Sequence, residues 1–123
     1  MLYRFFYCTD GQVKHPQAFQ AALLKSIPGS FLEFLPILSI LKKEYTPESL
    51  PYHVIVPSLP GFAFSDSPPL DRDYDLGDVS AIMDGLMKAL GFGDGYVAQG
   101  GDLGSKISRI LGAKYPSCKG VFS

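Results

Sequence analysis

The stretch that most limits what this chain can fold into is GYVAQGGDLGSKI, residues 95–107. A short apolar run, Gly95 to Ala98, meets Gly100-Gly101-Asp102-Leu103-Gly104 and passes at once into helical spacing. Ile107, Ile110 and Leu111 share one face there, as far as about Lys114, and Pro116 ends the run. A strand that turns into a helix so abruptly must bend sharply. The bend forces its central residue into a strained backbone conformation. Side chains two positions to either side would collide, and Gly100 and Gly104 occupy those positions, with Gly101 as a third small residue in the turn.

The rest of the chain supplies partners for such a unit. His53 to Val56 (HVIV) is a β-branched run between prolines, the pattern of a strand buried on both faces. Ser58 to Pro69 reads as a loop carrying Phe62 and Phe64, in a position that often lines a pocket. A helix fits Leu76 to Leu90, with Asp75 as N-cap, an apolar stripe of Val79, Ile82, Met83, Leu86, Met87 and Leu90, and Gly91 or Gly93 at its end. An earlier helix fits Phe31 to about Lys43, with Ser30 as N-cap and Glu33 at the capping-box spacing. Pro36 within it predicts a kink or a late start. Gln17 to Leu24 fits a short helix or a distorted strand equally, and CKGVFS at 118–123 reads as the start of another strand. Strand, helix, strand, helix, strand predicts an α/β fold, a parallel sheet with helices on its faces.

At the bend, the central side chain projects from the carboxyl end of the sheet, where open α/β sheets bind ligands. The form is that of a nucleophile elbow, G-x-S-x-G, with Asp102 in the serine position. A helix N-terminus favours the ionised carboxylate, and an ionised carboxylate attacks an electrophilic carbon without a base to deprotonate it first. The competing interpretation is that Asp102 merely caps the helix after it. On the pentapeptide alone the two weigh equally.

Eleven basic residues against twelve acidic ones give a net charge of -1, with no electrostatic argument for nucleic acid or an anionic membrane surface. Cys8 and Cys118 are far apart, with no metal-ligand spacing. No metal site, no disulfide and a cytoplasmic protein with reduced thiols are expected. No apolar run reaches the ~18 residues of a membrane span. A phosphate-cradling glycine loop is disfavoured, since a P-loop's Lys-Ser/Thr is missing and Asp102 would repel an anion.

Three segments in order, PGSFLEFLPIL, VIVPSLPGFAFSD and LGFGDGYVAQGGDLGS, closely resemble the epoxide hydrolases of the microsomal type found in fungi. The likeness runs from Pro28 to the C-terminus; residues 1–27 form an unmatched segment, and 28–123 the N-terminal part of an α/β-hydrolase domain. The resemblance implies hydrolysis of a small, largely apolar epoxide to a vicinal diol, without metal or organic cofactor. It implies that Asp102 is the nucleophile that is esterified, that a His paired with an acid activates water, and that two lid tyrosines hold the epoxide oxygen. By position, the backbone N–H groups of Leu103 and Ile27 would form the oxyanion hole, and Phe62 and Phe64 would wall the cleft. Relatives of this kind serve detoxification or the making of secondary metabolites such as toxins, and no residue here chooses between them.

The chain departs from the family in two places. Lys25-Ser26-Ile27-Pro28-Gly29-Ser30 stands where the family has H-G-W-P-G-S, so the glycine of the oxyanion loop is replaced by Ser26. The only histidines, His15 and His53, precede Asp102, whereas the fold orders its nucleophile, acid and His the other way. The expectation is a truncated hydrolase without lid or later strands, of doubtful activity by itself. A dead remnant serving as a binding partner and a haloalkane dehalogenase-like hydrolase remain as alternatives. Ile107, Ile110, Leu111, Val121 and Phe122 are expected to lose their packing partners, forfeiting roughly 8–15 kcal/mol together.

Overall fold

The computed structural model describes residues 5–7, 19–24, 34–45, 52–61, 67, 71 and 73–122. In chain order these form β1 (Phe5–Tyr7), β2 (Phe19–Leu24), α1 (Leu35–Glu44), β3 (Tyr52–Pro57), α2 (Leu76–Ala89), β4 (Tyr96–Gly100), α3 (Leu103–Lys114) and β5 (Cys118–Phe122). The five strands make one sheet in the order β1-β3-β2-β4-β5. All neighbours run parallel except β1, which is antiparallel to β3.

Strand alternation sends successive residues of β3 to opposite faces. Val54 and Val56 pack with Leu38 of α1, while Ile55 joins Met83 and Met87 of α2 and Ile107 and Leu111 of α3. Helices therefore cover both faces, as the sequence pattern predicts for the α/β class. The α2/α3 side holds the larger core, which also takes in Leu59, Phe92, Tyr96, Ala98 and Cys118. The α1 side is thin: Leu35, Ile37 and Ile40 remain exposed.

Two expectations are corrected and one open reading is decided. Ser30 and Glu33, expected as the cap and capping box of the first helix, lie outside the described residues, and the cap position falls to Phe34. Helix α1 begins at Leu35 with no side-chain cap, because Pro36 fits only the first turn, where its missing N–H costs nothing. Of the two readings open for Gln17 to Leu24, the strand holds over Phe19–Leu24, since β2 pairs on both edges, with β3 and with β4. Ile107 and Leu111 are not stranded: both are fully buried inside this chain's own core, each gaining about 1.5–3 kcal/mol. Ile110 is half-buried, Val121 packs against the same core, and only Phe122 is largely exposed, at 66%.

Helix α2 starts as Asp75 predicts, but with a reciprocal device. Asp75 accepts from the Asp78 backbone N–H at 2.9 Å, and Asp78 accepts from that of Asp75 at 3.0 Å. Gly91, at φ 92, supplies the left-handed turn after the helix.

Candidate active site

The link between β4 and α3 is two residues, Gly101 and Asp102. Asp102 has φ 53 and ψ -121, the sole non-glycine residue with positive φ among those described. A side chain is held in this region only when its surroundings over-determine it, at a cost of order 1–3 kcal/mol. Those surroundings are tight. A Cβ built on Gly100 would lie 2.2 Å from the Gly104 carbonyl oxygen and 2.7 Å from Ser108 Oγ, so helix and strand touch backbone to backbone. On the far side, Gly104 N–H donates to Gly101 O at 2.9 Å and Ser105 N–H donates to Asp102 O at 3.1 Å.

This geometry separates the two readings of Asp102. It occupies the N-cap position, yet its side chain makes no capping hydrogen bond. It is exposed at the carboxyl end of β4. A residue kept merely to cap α3 would take the ordinary extended backbone of an N-cap, as Asp75 does at φ -106 and ψ 179.

The topology gives the bend its place. After β2 the chain crosses to α1 on one face, and after β4 it crosses to α3 on the other, with β2 and β4 adjacent. The connections therefore diverge between the carboxyl ends of these two strands, the switch point at which open α/β sheets bind ligands. Leu24, the last residue of β2, pairs with Gly100, so β2 ends level with the bend. Ile27 itself, Phe62 and Phe64 lie outside the described residues, as does His15. Leu103 is the first residue of α3, one of the positions whose N–H has no partner within a helix.

His53 is buried near the amino end of β3 and packs on Phe92, with ring centroids 4.8 Å apart; burial lowers its pKa. It pairs with Gln20 of β2, whereas the bend pairs with Leu24. Four residues of strand, ~13 Å, separate the two levels. His53 is a core residue on the wrong end of the sheet to serve Asp102. No group of three His, Cys, Asp or Glu side chains suited to a metal occurs among the described residues.

Two polar features escape a reading of the sequence. Ser108, fully buried, donates from Oγ to the Gly104 carbonyl at 2.8 Å, one turn behind the bend. Its position on the face with Ile107 and Leu111 is the only signal, a hydroxyl where a helix interior expects an apolar group. Elsewhere, Tyr96 donates to Oδ1 of the buried Asp84 at 2.8 Å, and Lys88 pairs with Oδ2. Burial and then the neighbouring Asp84 carboxylate push the Tyr96 phenol pKa up.

A strand, a glycine-flanked bend and a helix at the switch point of a mostly parallel sheet define a hydrolase-type α/β domain. The model of the α/β hydrolase fold family matches residues 23–123, and the chain belongs to that family. Its homologues within the family include fungal epoxide hydrolases. A Dothistroma septosporum protein named "Putative epoxide hydrolase" is 59% identical over 93 residues, 76% of this chain and 22% of that protein. The solved Aspergillus niger epoxide hydrolase superposes with a TM-score of 0.90 at 50% identity, over 95% of this chain and 30% of that one. The juvenile hormone epoxide hydrolase of the silkworm Bombyx mori gives 0.79 at 29% identity, with the same two coverages. The chain thus spans less than a third of the length of each of these three relatives.

Proposed function

We propose that this chain is the nucleophile-bearing part of an epoxide hydrolase, and that Asp102 opens the epoxide ring. The observation that carries the reading is the strained, exposed Asp102, held at the switch point without a capping bond. One carboxylate oxygen attacks a ring carbon, the carbon–oxygen ring bond breaks, and its electron pair goes to the epoxide oxygen. That oxygen takes a proton, a task the family resemblance assigns to two lid tyrosines outside these residues. Water then adds to the carbonyl carbon of the ester, activated by a His–acid pair that the resemblance puts after Asp102. The resulting oxyanion faces the Leu103 N–H, with the Ile27 N–H as second donor; one such donor is typically worth ~2.7–4 kcal/mol. Collapse expels the diol and restores the carboxylate. The scheme needs no metal or organic cofactor. Phe62 and Phe64 are assigned to the wall of the cleft, and the substrate class is a small apolar epoxide. The identities to epoxide hydrolases favour this substrate over a haloalkane.

In the 123-residue chain the opened oxygen takes its proton from solvent water, slowly, whereas ester release needs the His–acid pair, so the chain is expected to trap the ester rather than turn over. The purified chain is incubated with styrene oxide and its intact mass followed. The expected result is one adduct that maps to Asp102 and is lost in Asp102→Ala. An adduct that persists in Asp102→Ala, or none on Asp102 at saturating epoxide, refutes the reading for this chain and leaves it a remnant or a binding partner.

A further inference from the structure

We infer that Ser108 is a positioning residue for the nucleophile, acting on the backbone of Asp102 through one peptide plane. The inference rests on the reading of Asp102 given above. The Ser108 hydroxyl donates to the Gly104 carbonyl oxygen at 2.8 Å. The peptide unit that carries this oxygen also carries the Ser105 N–H, and that N–H donates to the carbonyl oxygen of Asp102 at 3.1 Å. A donor on one end of a peptide strengthens donation from its other end, because the two bonds polarise the same group. The relay runs from Ser108 Oγ–H to Gly104 C=O, through the Gly104–Ser105 peptide, and from Ser105 N–H to Asp102 C=O. It terminates on the residue with φ 53 and ψ -121, whose carbonyl direction is set by that ψ.

The surroundings single out this hydroxyl. Ser108 is fully buried on the face of α3 that otherwise presents Gly104, Ile107 and Leu111 to the core. Its Oγ and the Gly104 oxygen together fill the space over Gly100. A helix residue bonding back to the carbonyl four residues earlier ordinarily gains little and tends to bend its helix. Here the bonded carbonyl belongs to the first turn of α3, the turn that follows Asp102 and begins with the Leu103 N–H.

The experiment uses the full chain with Ser108→Ala and Ser108→Thr, since threonine can make the same bond to the i−4 carbonyl. Ser108→Cys, of serine's shape but a weak donor, stands in if either fails to fold. Amide exchange is read at Ser105 and at Ile110, the latter reporting α3 itself. In Ser108→Ala, exchange at Ser105 is expected to rise roughly two- to tenfold more than at Ile110, and Ser108→Thr to reverse the rise. The rate of Asp102 ester formation from styrene oxide is expected to fall with it, at an unchanged half-saturating epoxide concentration. An equal rise at both amides, or none at Ser105, overturns the inference, as does a selective rise that leaves the ester rate unaltered. If the parent chain forms no ester, the reading of Asp102 as nucleophile fails while the amide arm still decides whether Ser108 holds its backbone.

Discussion

Replacing Gly100 by alanine tests whether the contact of α3 with β4 is what shapes the bend. The new methyl carbon would sit 2.2 Å from Gly104 O, 2.3 Å from Gly104 C and 2.7 Å from Ser108 Oγ. Opening the worst contact to even 3.0 Å requires about 0.8 Å of movement. The obstacle is main chain, so no rotamer change relieves it. Helix α3 must shift as a body, and its Ile107 and Leu111 are fully buried in the larger core. Overpacking costs about 1–3 kcal/mol and more when backbone is struck, so ~3 kcal/mol is expected, against a usual total of about 5–15. With a urea dependence of about 1–3 kcal/mol per molar, the unfolding midpoint should drop by roughly 1–3 M. Gly85→Ala is the matched control. Gly85 is an exposed position inside α2 with nothing within 4 Å of an added Cβ, so alanine there should stabilise by ~0.5–1 kcal/mol. Circular dichroism through a urea series gives both midpoints. A Gly100→Ala midpoint within ~0.3 M of the parent chain would refute the reasoning, because the helix would have yielded at negligible cost.

Asp102→Gly should raise the unfolding midpoint, by about 1 kcal/mol of relieved strain net of glycine's greater unfolded freedom, while abolishing the epoxide adduct; a lower midpoint contradicts the strain argument. Tyr96→Phe should cost about 1.5–3 kcal/mol in the same assay, since it strips a hydrogen bond from the buried Asp84 carboxylate and leaves Lys88 as the partner that remains; no change would mean water replaces the phenol. Burial lowers the pKa of His53, so the unfolded chain takes up this proton first as pH falls. Stability should therefore be full above the ordinary value of about 6.5 and decline below it, by at most ~1.4 kcal/mol per pH unit. His53→Phe should flatten urea midpoints between pH 7.5 and 5.5, and an equal decline in that variant assigns the effect to other groups.

What could be read from the residues was whatever local chemistry decides. The bend was legible because a strand–helix junction of this abruptness needs small residues at 100 and 104, and the start of α2 because Asp75 acts on its immediate neighbours. Helix α3 was bounded correctly by Leu103 and Lys114. What local chemistry left open or misplaced was settled by distant partners. Residues 19–24 have helix-favouring composition and become a strand only because β3 and β4 flank them. Ser30 and Glu33 have the spacing of a capping box, but Pro36 dictates where α1 can begin. Strand β1 had no pattern of its own and depends on pairing with β3. The Tyr96–Asp84 bond joins residues of two elements whose contact no spacing predicts. Ser108 reads as a neutral helix residue until its hydroxyl is seen beside Gly100.

The placement of β2 has one more consequence. Among the described residues its pairings alone join β3 to β4 within the sheet, so it works as the keystone of that ladder. Without residues 19–24 the sheet divides into a β1–β3 ribbon and a β4–β5 ribbon, joined through the α2/α3 core that Ile55 and Ala98 share, and two-stranded ribbons are marginal in water. A substitution that unzips this one strand would loosen the bend at Asp102 from a distance, by leaving β4 to lean on the helix core without its inner neighbour.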